Sequence, residues 1–156
     1  MSDREPSDDF INYGLLIRYA ARPFTRVLQD QVSDFGISAG EYRVLRAIEE
    51  GAEAQLEIAR KAAMDRPFVT ALIRKLIAKR FVSGTQNRAD GRRTDLRVTA
   101  SGRRLLDRIF VKIVLPSNAA AVRGIEPKSL SIFTSVAEQI IANLERTFPS
   151  VSDGLA

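Results

Sequence analysis

Basic side chains are concentrated in one segment of this chain. Residues 60–108 hold 14 lysines and arginines and only four acidic residues, so the segment carries a net charge of +10. The whole chain of 156 residues carries +5, which leaves −5 for the remainder. A charge asymmetry of this size is the expected footprint of a surface that binds a polyanion.

Two residue types that catalyse many reactions are missing. The chain contains no cysteine and no histidine, which excludes thiolate chemistry and removes the usual ligands of zinc and the commonest general base. No paired-carboxylate or phosphate-loop motif stands in their place. The sequence therefore predicts a binding protein that is not an enzyme, with no cofactor and no metal. A small-molecule-binding enzyme is the weakest of the functions considered.

Length and hydropathy predict one domain in the cytoplasm. A chain of 156 residues is about one domain and buries a real core. No apolar run approaches the ~20 residues that a transmembrane helix needs. The acidic N-terminal residues MSDREPSDDF lack the apolar centre of a signal peptide.

Residues 65–102 have the pattern of a helix, a hairpin and the start of another helix. Asp65 is a suitable N-cap and Pro67 falls in the first turn, so a helix is predicted to about Lys79. Its inward stripe is Phe68 or Val69 followed by Leu72, Ile73 and Leu76. Strands are predicted at 81–86 and 93–98, joined by a turn at Asp90-Gly91. Thr99 or Ser101 begins the next helix, which Pro116 bends or interrupts.

Helices are also predicted on both sides of this segment. The first spans residues 8–35, is bent or divided at Pro23 and ends at Gly36. A capping box, with Ser38 as N-cap and Glu41 three residues on, begins the second. A short helix at about 55–62 turns Leu56, Ile58 and Ala59 inward, and the last helix opens at Glu126-Pro127. The order of elements predicts a winged helix-turn-helix, a DNA-binding module.

Three stretches in this order resemble the MarR (multiple antibiotic resistance regulator) family of bacterial transcription factors: ISAGEYRVLRAI, LEIARKAAMDRPFVTALIRKLIAKRFV and RADGRRTDLRVTASGRRLL. The T-x-x-G of Thr99–Gly102, after an Asp-Gly-Arg-Arg wing, is the most characteristic part. The resemblance covers about residues 8–148. It implies a mainly α fold with a β-hairpin wing, in which residues 37–99 form the winged-helix module. Residues 8–35 and 100–148 would form a helical dimerisation region within a single chain of 1–156.

The resemblance also implies which residues meet DNA. The helix at 65–79 would be the recognition helix, with Thr70 and Arg74 towards base edges and Arg66 and Lys75 towards phosphates. In the wing, Arg92 would enter the minor groove and Asp90 would order the wing through a nearby arginine. The implied DNA-binding residues are Arg66, Pro67, Phe68, Thr70, Ala71, Arg74, Lys75, Arg88, Asp90, Arg92 and Arg93.

Three positions depart from the family pattern. Ala71 stands where members often carry a longer polar side chain, so it offers only a methyl contact with thymine. Ala63 replaces a common turn glycine. Arg80 replaces the glycine that usually ends the recognition helix, which requires a left-handed conformation at a non-glycine residue. Residues Phe68 and Leu72 could instead be core, and the basic residues Lys79, Arg80, Arg103, Arg104 and Arg108 could form an ordinary solvated face.

Partners follow from the same resemblance. It implies a homodimer, which places two recognition helices on a pseudo-palindromic DNA site, and a small aromatic or anionic effector that releases DNA. The apolar stripes could be core or an intersubunit seam, with candidate residues Leu15, Tyr19, Phe133, Ile140, Ile141 and Leu144. Candidate effector residues are Tyr13, Arg22, Phe24, Tyr42 and Arg46, although these aromatics could be core and these arginines could pair with acids.

Two functions of different kinds remain open at the level of the sequence. The first is a dimeric, sequence-specific transcriptional regulator that acts as a ligand-responsive repressor. The second is a winged-helix module that docks a protein partner without sequence-specific DNA binding. The basic recognition face favours the first, because protein-docking winged helices do not need such a concentration of positive charge.

Overall fold

A computed structural model describes residues 11–86 and 94–148 of the chain. The helices are α1 (Tyr13–Val32), α2 (Ala39–Glu49), α3 (Gln55–Ala62), α4 (Arg66–Ala78), α5 (Ala100–Ile109), α6 (Leu115–Ala121) and α7 (Pro127–Thr147). The strands are β1 (Val82–Gln86) and β2 (Thr94–Val98), which pair antiparallel with Val82 opposite Val98. The prediction of a mainly α fold with a small β-hairpin is confirmed. None of the helices in the described ranges combines the length and apolar character that a bilayer crossing requires.

The first helix begins later than predicted and is not divided. Asn12 caps α1, because its Oδ1 accepts a hydrogen bond from the Leu15 amide at 3.0 Å. The helix then continues through Pro23 as one element. A 3₁₀ turn, Ser33–Phe35, follows directly and ends at Gly36 with φ of 76°. The predicted stop at Gly36 is therefore confirmed, since a left-handed residue closes this turn.

The core lies between α2, α3, α4 and the base of the hairpin. Its fully buried side chains include Val44, Leu45, Ile58, Val69, Leu76, Val82 and Ile109. Predictions for the inward faces hold at Ile58, Ala59, Leu72, Ile73 and Leu76, which are all buried. The prediction for Leu56 was wrong, because this residue is 40% exposed. Of the two alternatives Phe68 and Val69, Val69 is buried and Phe68 is 56% exposed. Leu56 and Phe68 sit in the first turn or two of their helices, where the stripe of core-facing positions has only begun.

A π-helical turn, Phe110–Val114, separates α5 from α6. Pro116 falls in the first turn of α6, where its missing N–H is tolerated. The predicted interruption by this proline thus takes the form of a wider helical turn just before it. As a result α5, the π turn and α6 follow one another without a loop.

The corner between α4 and β1 is held by the start of α5. Arg80 has φ of 60°, which confirms the predicted left-handed conformation. The Thr99 hydroxyl donates towards the Arg80 carbonyl at 2.8 Å, and the Ser101 hydroxyl reaches the same oxygen at 2.9 Å. The Thr99 amide donates to the Phe81 carbonyl at 3.0 Å. Thr99 also caps α5, since its Oγ1 accepts from the Gly102 amide at 3.1 Å.

Replacing Gly102 with alanine should destabilise this corner. An added Cβ would stand 2.3 Å from the Phe81 carbonyl oxygen and 2.8 Å from Val98 Cγ1. Because a backbone atom cannot move aside cheaply, Gly102→Ala should lower the free energy of unfolding by roughly 1–3 kcal/mol. Urea unfolding followed by circular dichroism measures this change.

Gly14→Ala is the matched control. Its new Cβ would meet nothing closer than the Asn12 side chain at 3.6 Å. Alanine is the better helix former, so this variant should be neutral or more stable by up to about 1 kcal/mol. Equal stability of the two variants would contradict the close approach at Gly102.

Candidate nucleic-acid interface

Helix α4 has one buried side and one exposed side. Val69, Leu72, Ile73 and Leu76 are buried against the core. At 100° per residue, the positions opposite this stripe are Pro67, Ala71 and Arg74, and all three are exposed. The structure therefore places Pro67, Ala71 and Arg74 together on the outer side of one helix. Phe68 lies on the edge of that side, so the reading of Phe68 as core was wrong.

Within the described ranges, the basic residues of this face have no acidic partner. Arg66, Arg74 and Lys75 are exposed, and none forms an ion pair within the ranges that the structure describes. Unpaired surface cations gain little from the fold itself. Their charge is consequently available to a polyanion that approaches α4.

Thr70 is less available than its position indicates. It is half-buried, and its hydroxyl has two acceptors within reach. The Arg66 carbonyl oxygen lies 3.0 Å from Thr70 Oγ1, and Gln55 Oε1 lies 3.4 Å from it. A hydroxyl has one hydrogen to donate. The donor that was predicted to reach a base edge is therefore engaged within the protein, and Arg74 is left as the main polar group near the centre of the exposed face.

Besides Lys61, which lies 3.7 Å from Glu57, three residues of the basic segment have partners on other elements of the described chain. Lys79 bonds to Glu41, with Nζ and Oε1 2.6 Å apart. Arg103 Nε is 3.1 Å from Glu49 Oε1, and the Arg108 guanidinium lies 5.2 Å from the centre of the Phe35 ring. From the sequence alone, these three residues could contact DNA or form an ordinary solvated surface. Their partners are distant in sequence, so no local pattern identifies them.

Glu41 is a buried acid with a defined set of partners. Only 3% of the residue is exposed. Its Oε2 accepts from the Ser38 amide at 2.7 Å and the Ser38 hydroxyl accepts from the Glu41 amide at 3.1 Å, which confirms the capping box. Burial raises the pKa of this carboxyl, but the hydrogen bonds from Lys79 and Ser38 outweigh burial and hold the pKa below its ordinary value. The group therefore stays charged.

The predicted wing tip lies outside the residues that the structure describes. The predicted DNA contacts of the wing are Arg88, Arg92 and Arg93, and Asp90 was predicted to order the wing. All four residues lie in the range 87–93, which is not described. The strands that lead to them do show where the wing begins and ends. Gln86 is paired with Thr94 at the far end of the hairpin, so residues 87–93 connect the two strands beyond that pair.

The predicted effector residues do not line one cavity. Phe24 lines an apolar cavity of about 490 Å³ between α1 and α6, whereas Arg22 and Arg46 line two other depressions. Tyr42 packs against the core, and burial raises the pKa of its phenol. Tyr13 is 60% exposed. Of the five residues, Phe24 alone lies at the α1–α6 cavity.

The terminal helices expose most of their apolar side chains. Helix α7 runs for 21 residues with none buried. Among the predicted seam residues, Leu15, Tyr19, Phe133, Ile141 and Leu144 are each more than 40% exposed, and Ile140 is half-buried. An exposed apolar surface of this extent is typical of a surface that another protein covers.

Known proteins share this architecture. No protein-family model matches the chain. It is 27% identical over 106 residues to the HTH-type transcriptional repressor NicR of Pseudomonas putida, a match that covers 67% of each protein. A MarR-family transcriptional regulator from Silicibacter pomeroyi superimposes with a TM-score of 0.79 at 18% identity, over 90% of this chain and 97% of that one.

A second solved structure concerns the regulation of DNA binding of Bordetella bronchiseptica BpsR by 6-hydroxynicotinic acid. It superimposes with a TM-score of 0.71 at 20% identity, over 83% of this chain and 98% of BpsR. The overall fold is thus common to these two solved structures and to this chain. The resemblance found in the sequence is confirmed at the level of the fold: this chain has the winged helix-turn-helix fold of the MarR-family regulators.

Proposed function

We propose that this protein is a homodimeric, sequence-specific DNA-binding transcriptional repressor. The observation that carries the proposal is the exposed side of α4, where Arg66, Arg74 and Lys75 lack acidic partners in the described ranges beside a two-stranded hairpin. A helix of this kind fits the DNA major groove, and its cations replace the counterions of the phosphates. A wing that carries Arg88, Arg92 and Arg93 would add contacts beside it.

Arg74 is the residue of α4 whose loss should change base recognition. Selection from random duplexes should recover a pseudo-palindrome, and Arg74→Ala should weaken binding to it by about 1–3 kcal/mol while relaxing preference at one base of each half-site. Lys75→Ala should weaken binding to all sequences and lower the salt slope by about 1. Fluorescence anisotropy over a salt series measures both effects.

Arg18→Ala supplies the control for charge alone. Arg18 is exposed on α1 and has no ion pair in the described part of the chain, so its removal subtracts the same charge away from α4. Its affinity for the selected duplex should match that of the unaltered protein. If no sequence is enriched, the protein-docking alternative is favoured and the DNA-binding proposal fails.

The homodimer is supported by the exposed side of α7. Isolated helices gain little stability without packing of an apolar face, and in α7 this face comprises Leu130, Phe133, Ile140, Ile141 and Leu144, of which none is buried. A second copy of the chain supplies the same surface in return. Two copies would place their α4 helices about 34–36 Å apart on successive turns of DNA.

A charge in this seam should separate the protomers. Ile141→Asp should convert the dimer into a monomer at micromolar concentration, because a carboxylate would have to be buried unpaired. Sedimentation velocity gives the mass of each species. Ser135→Asp adds the same charge on the opposite side of α7 and should leave the dimer intact; a stable monomer of the unaltered protein would refute the seam.

A small aromatic acid is the effector class that we propose. The cavity between α1 and α6 has the volume of a small-ligand site. Its walls are mainly apolar, with Phe24, Val27 and Ile113 among them, while Lys112 and Gln31 supply polar groups at the lining. The regulation of BpsR by 6-hydroxynicotinic acid supports the same class of ligand.

Filling the cavity should abolish the response to such a ligand. Titration calorimetry with 6-hydroxynicotinic acid should detect binding to the unaltered protein, and the ligand should weaken its DNA affinity. Ala120→Leu adds volume at the cavity wall and should remove both effects while DNA affinity without ligand is retained. Ala142→Leu, on the side of α7 opposite the proposed dimer seam, should respond normally. An equal response of both variants would place the ligand elsewhere.

A further inference from the structure

One ammonium group joins three segments of the chain. Lys79 is the C-cap residue of α4. Its Nζ donates to Glu41 Oε1 at 2.6 Å, in the first turn of α2, and to the carbonyl of Gly36 at 2.9 Å, just after α1 and its 3₁₀ turn. The end of α4 is therefore bonded both to the first turn of α2 and to the segment that follows α1 and its 3₁₀ turn.

The partners of this ammonium are themselves fixed. Glu41 is 3% exposed, and its second oxygen is held by the Ser38 amide at 2.7 Å. On either side of Gly36, Val32 is 1% exposed and Ile37 is 3% exposed, so the backbone that supplies the Gly36 carbonyl is anchored at both ends. Lys79 thus contacts acceptors whose positions are set by the core, and a charge-assisted bond to such acceptors restricts its own position.

The same geometry argues against a role in contacting DNA. The Lys79 charge is satisfied by a carboxylate and a carbonyl, whereas Arg74 and Lys75 on the same helix have no acidic partner in the described ranges. Breaking a pair that contains a buried carboxylate leaves an uncompensated charge in the protein. Lys79 would therefore lose an existing partner if it turned towards a phosphate.

We propose that Lys79, Glu41 and the Gly36 carbonyl form a junction that sets the angle between α1 and α4. In the proposed dimer, α1 belongs to the region that joins the two copies, so this angle fixes the distance between the two α4 helices and thus the half-site spacing that the protein accepts. Lys79 is a positioning residue that acts through Glu41 and Gly36. The effect on half-site spacing rests on the proposed function. The role of Lys79 in setting the angle between α1 and α4 does not.

The distance between a spin label on α1 and one on α4 reports how these two helices are oriented. The measurement needs no DNA, and it gives the same information for a monomer or a dimer. The chain has no cysteine, so Gln29→Cys on α1 and Ala71→Cys on α4 would place labels only at two exposed positions. Labelled protein diluted in unlabelled protein reports the distance within one chain by pulsed electron paramagnetic resonance. In the doubly labelled protein with no further change, the distribution of distances between the two labels should be narrow. Lys79→Met and Glu41→Gln should each broaden or shift it, whereas Lys79→Arg, which keeps the positive charge, should leave it close to the original.

Lys61→Met is the matched control. Lys61 donates to the Glu50 carbonyl at 3.0 Å and lies 3.7 Å from Glu57, so it is also a lysine bound to a carbonyl and a glutamate. It does not join α1 to α4, and its loss should leave the distance distribution unchanged. An unchanged distribution in both Lys79→Met and Glu41→Gln, with both proteins folded by circular dichroism, would overturn the junction.

The preference of the protein for one half-site spacing distinguishes a positioning role of Lys79 from a direct contact between Lys79 and DNA. Duplexes with one base pair inserted between the selected half-sites should bind the unaltered protein more weakly, and Lys79→Met should reduce that discrimination by about 5- to 150-fold, the usual range for coupled sites. The salt slope should not change, whereas a lost phosphate contact lowers it by about 0.9. A lower slope with unchanged discrimination would make Lys79 a phosphate ligand and refute the positioning role. Should the unaltered protein select no duplex, the proposed function fails while the label distances still decide the junction.

Discussion

The close approach of Gly102 to the Phe81 carbonyl is the contact on which the winged-helix half of the fold depends. It brings the first turn of α5 against the corner where α4 ends, and it is possible only because residue 102 has no side chain. The hydroxyls of Thr99 and Ser101 then satisfy the carbonyl of Arg80, which the left-handed turn has removed from the helix. Helix α4, the hairpin and α5 are consequently fixed to one another at a single corner.

Positive charge is divided between two uses around that corner. Lys79, Arg103 and Arg108 are engaged with Glu41, Glu49 and the Phe35 ring, each of which lies on an earlier element of the chain. The basic residues on the outer side of α4 are left without such partners within the described ranges. A net charge of +10 therefore overstates the cationic surface, because part of it ties the end of α4 and helix α5 to earlier elements of the chain.

Local chemistry was predictable from the sequence, and tertiary partners were not. The Ser38–Glu41 capping box and the Thr99 cap depend on residues a few positions apart, so their patterns sufficed. The left-handed conformation of Arg80 was expected from the family resemblance, which places a glycine at this position. The exposure of Phe68, the Lys79–Glu41 pair and the cavity at Phe24 depend on elements that meet only after folding. The wing residues stay predictions, because residues 87–93 lie beyond what the structure describes.

The terminal helices give a physical reason to expect a dimer that responds to a ligand. Helix α7 has no buried residue, and α1 is largely exposed until its last turn, where Val32 enters the core. Within one copy of the chain these helices have little packing of their own, so their positions depend on the surface that covers them. A ligand in the cavity between α1 and α6 would act on this weakly packed region. Since α1 leads directly to Gly36 and so to Lys79, displacement there would reach α4 through bonds that the structure contains.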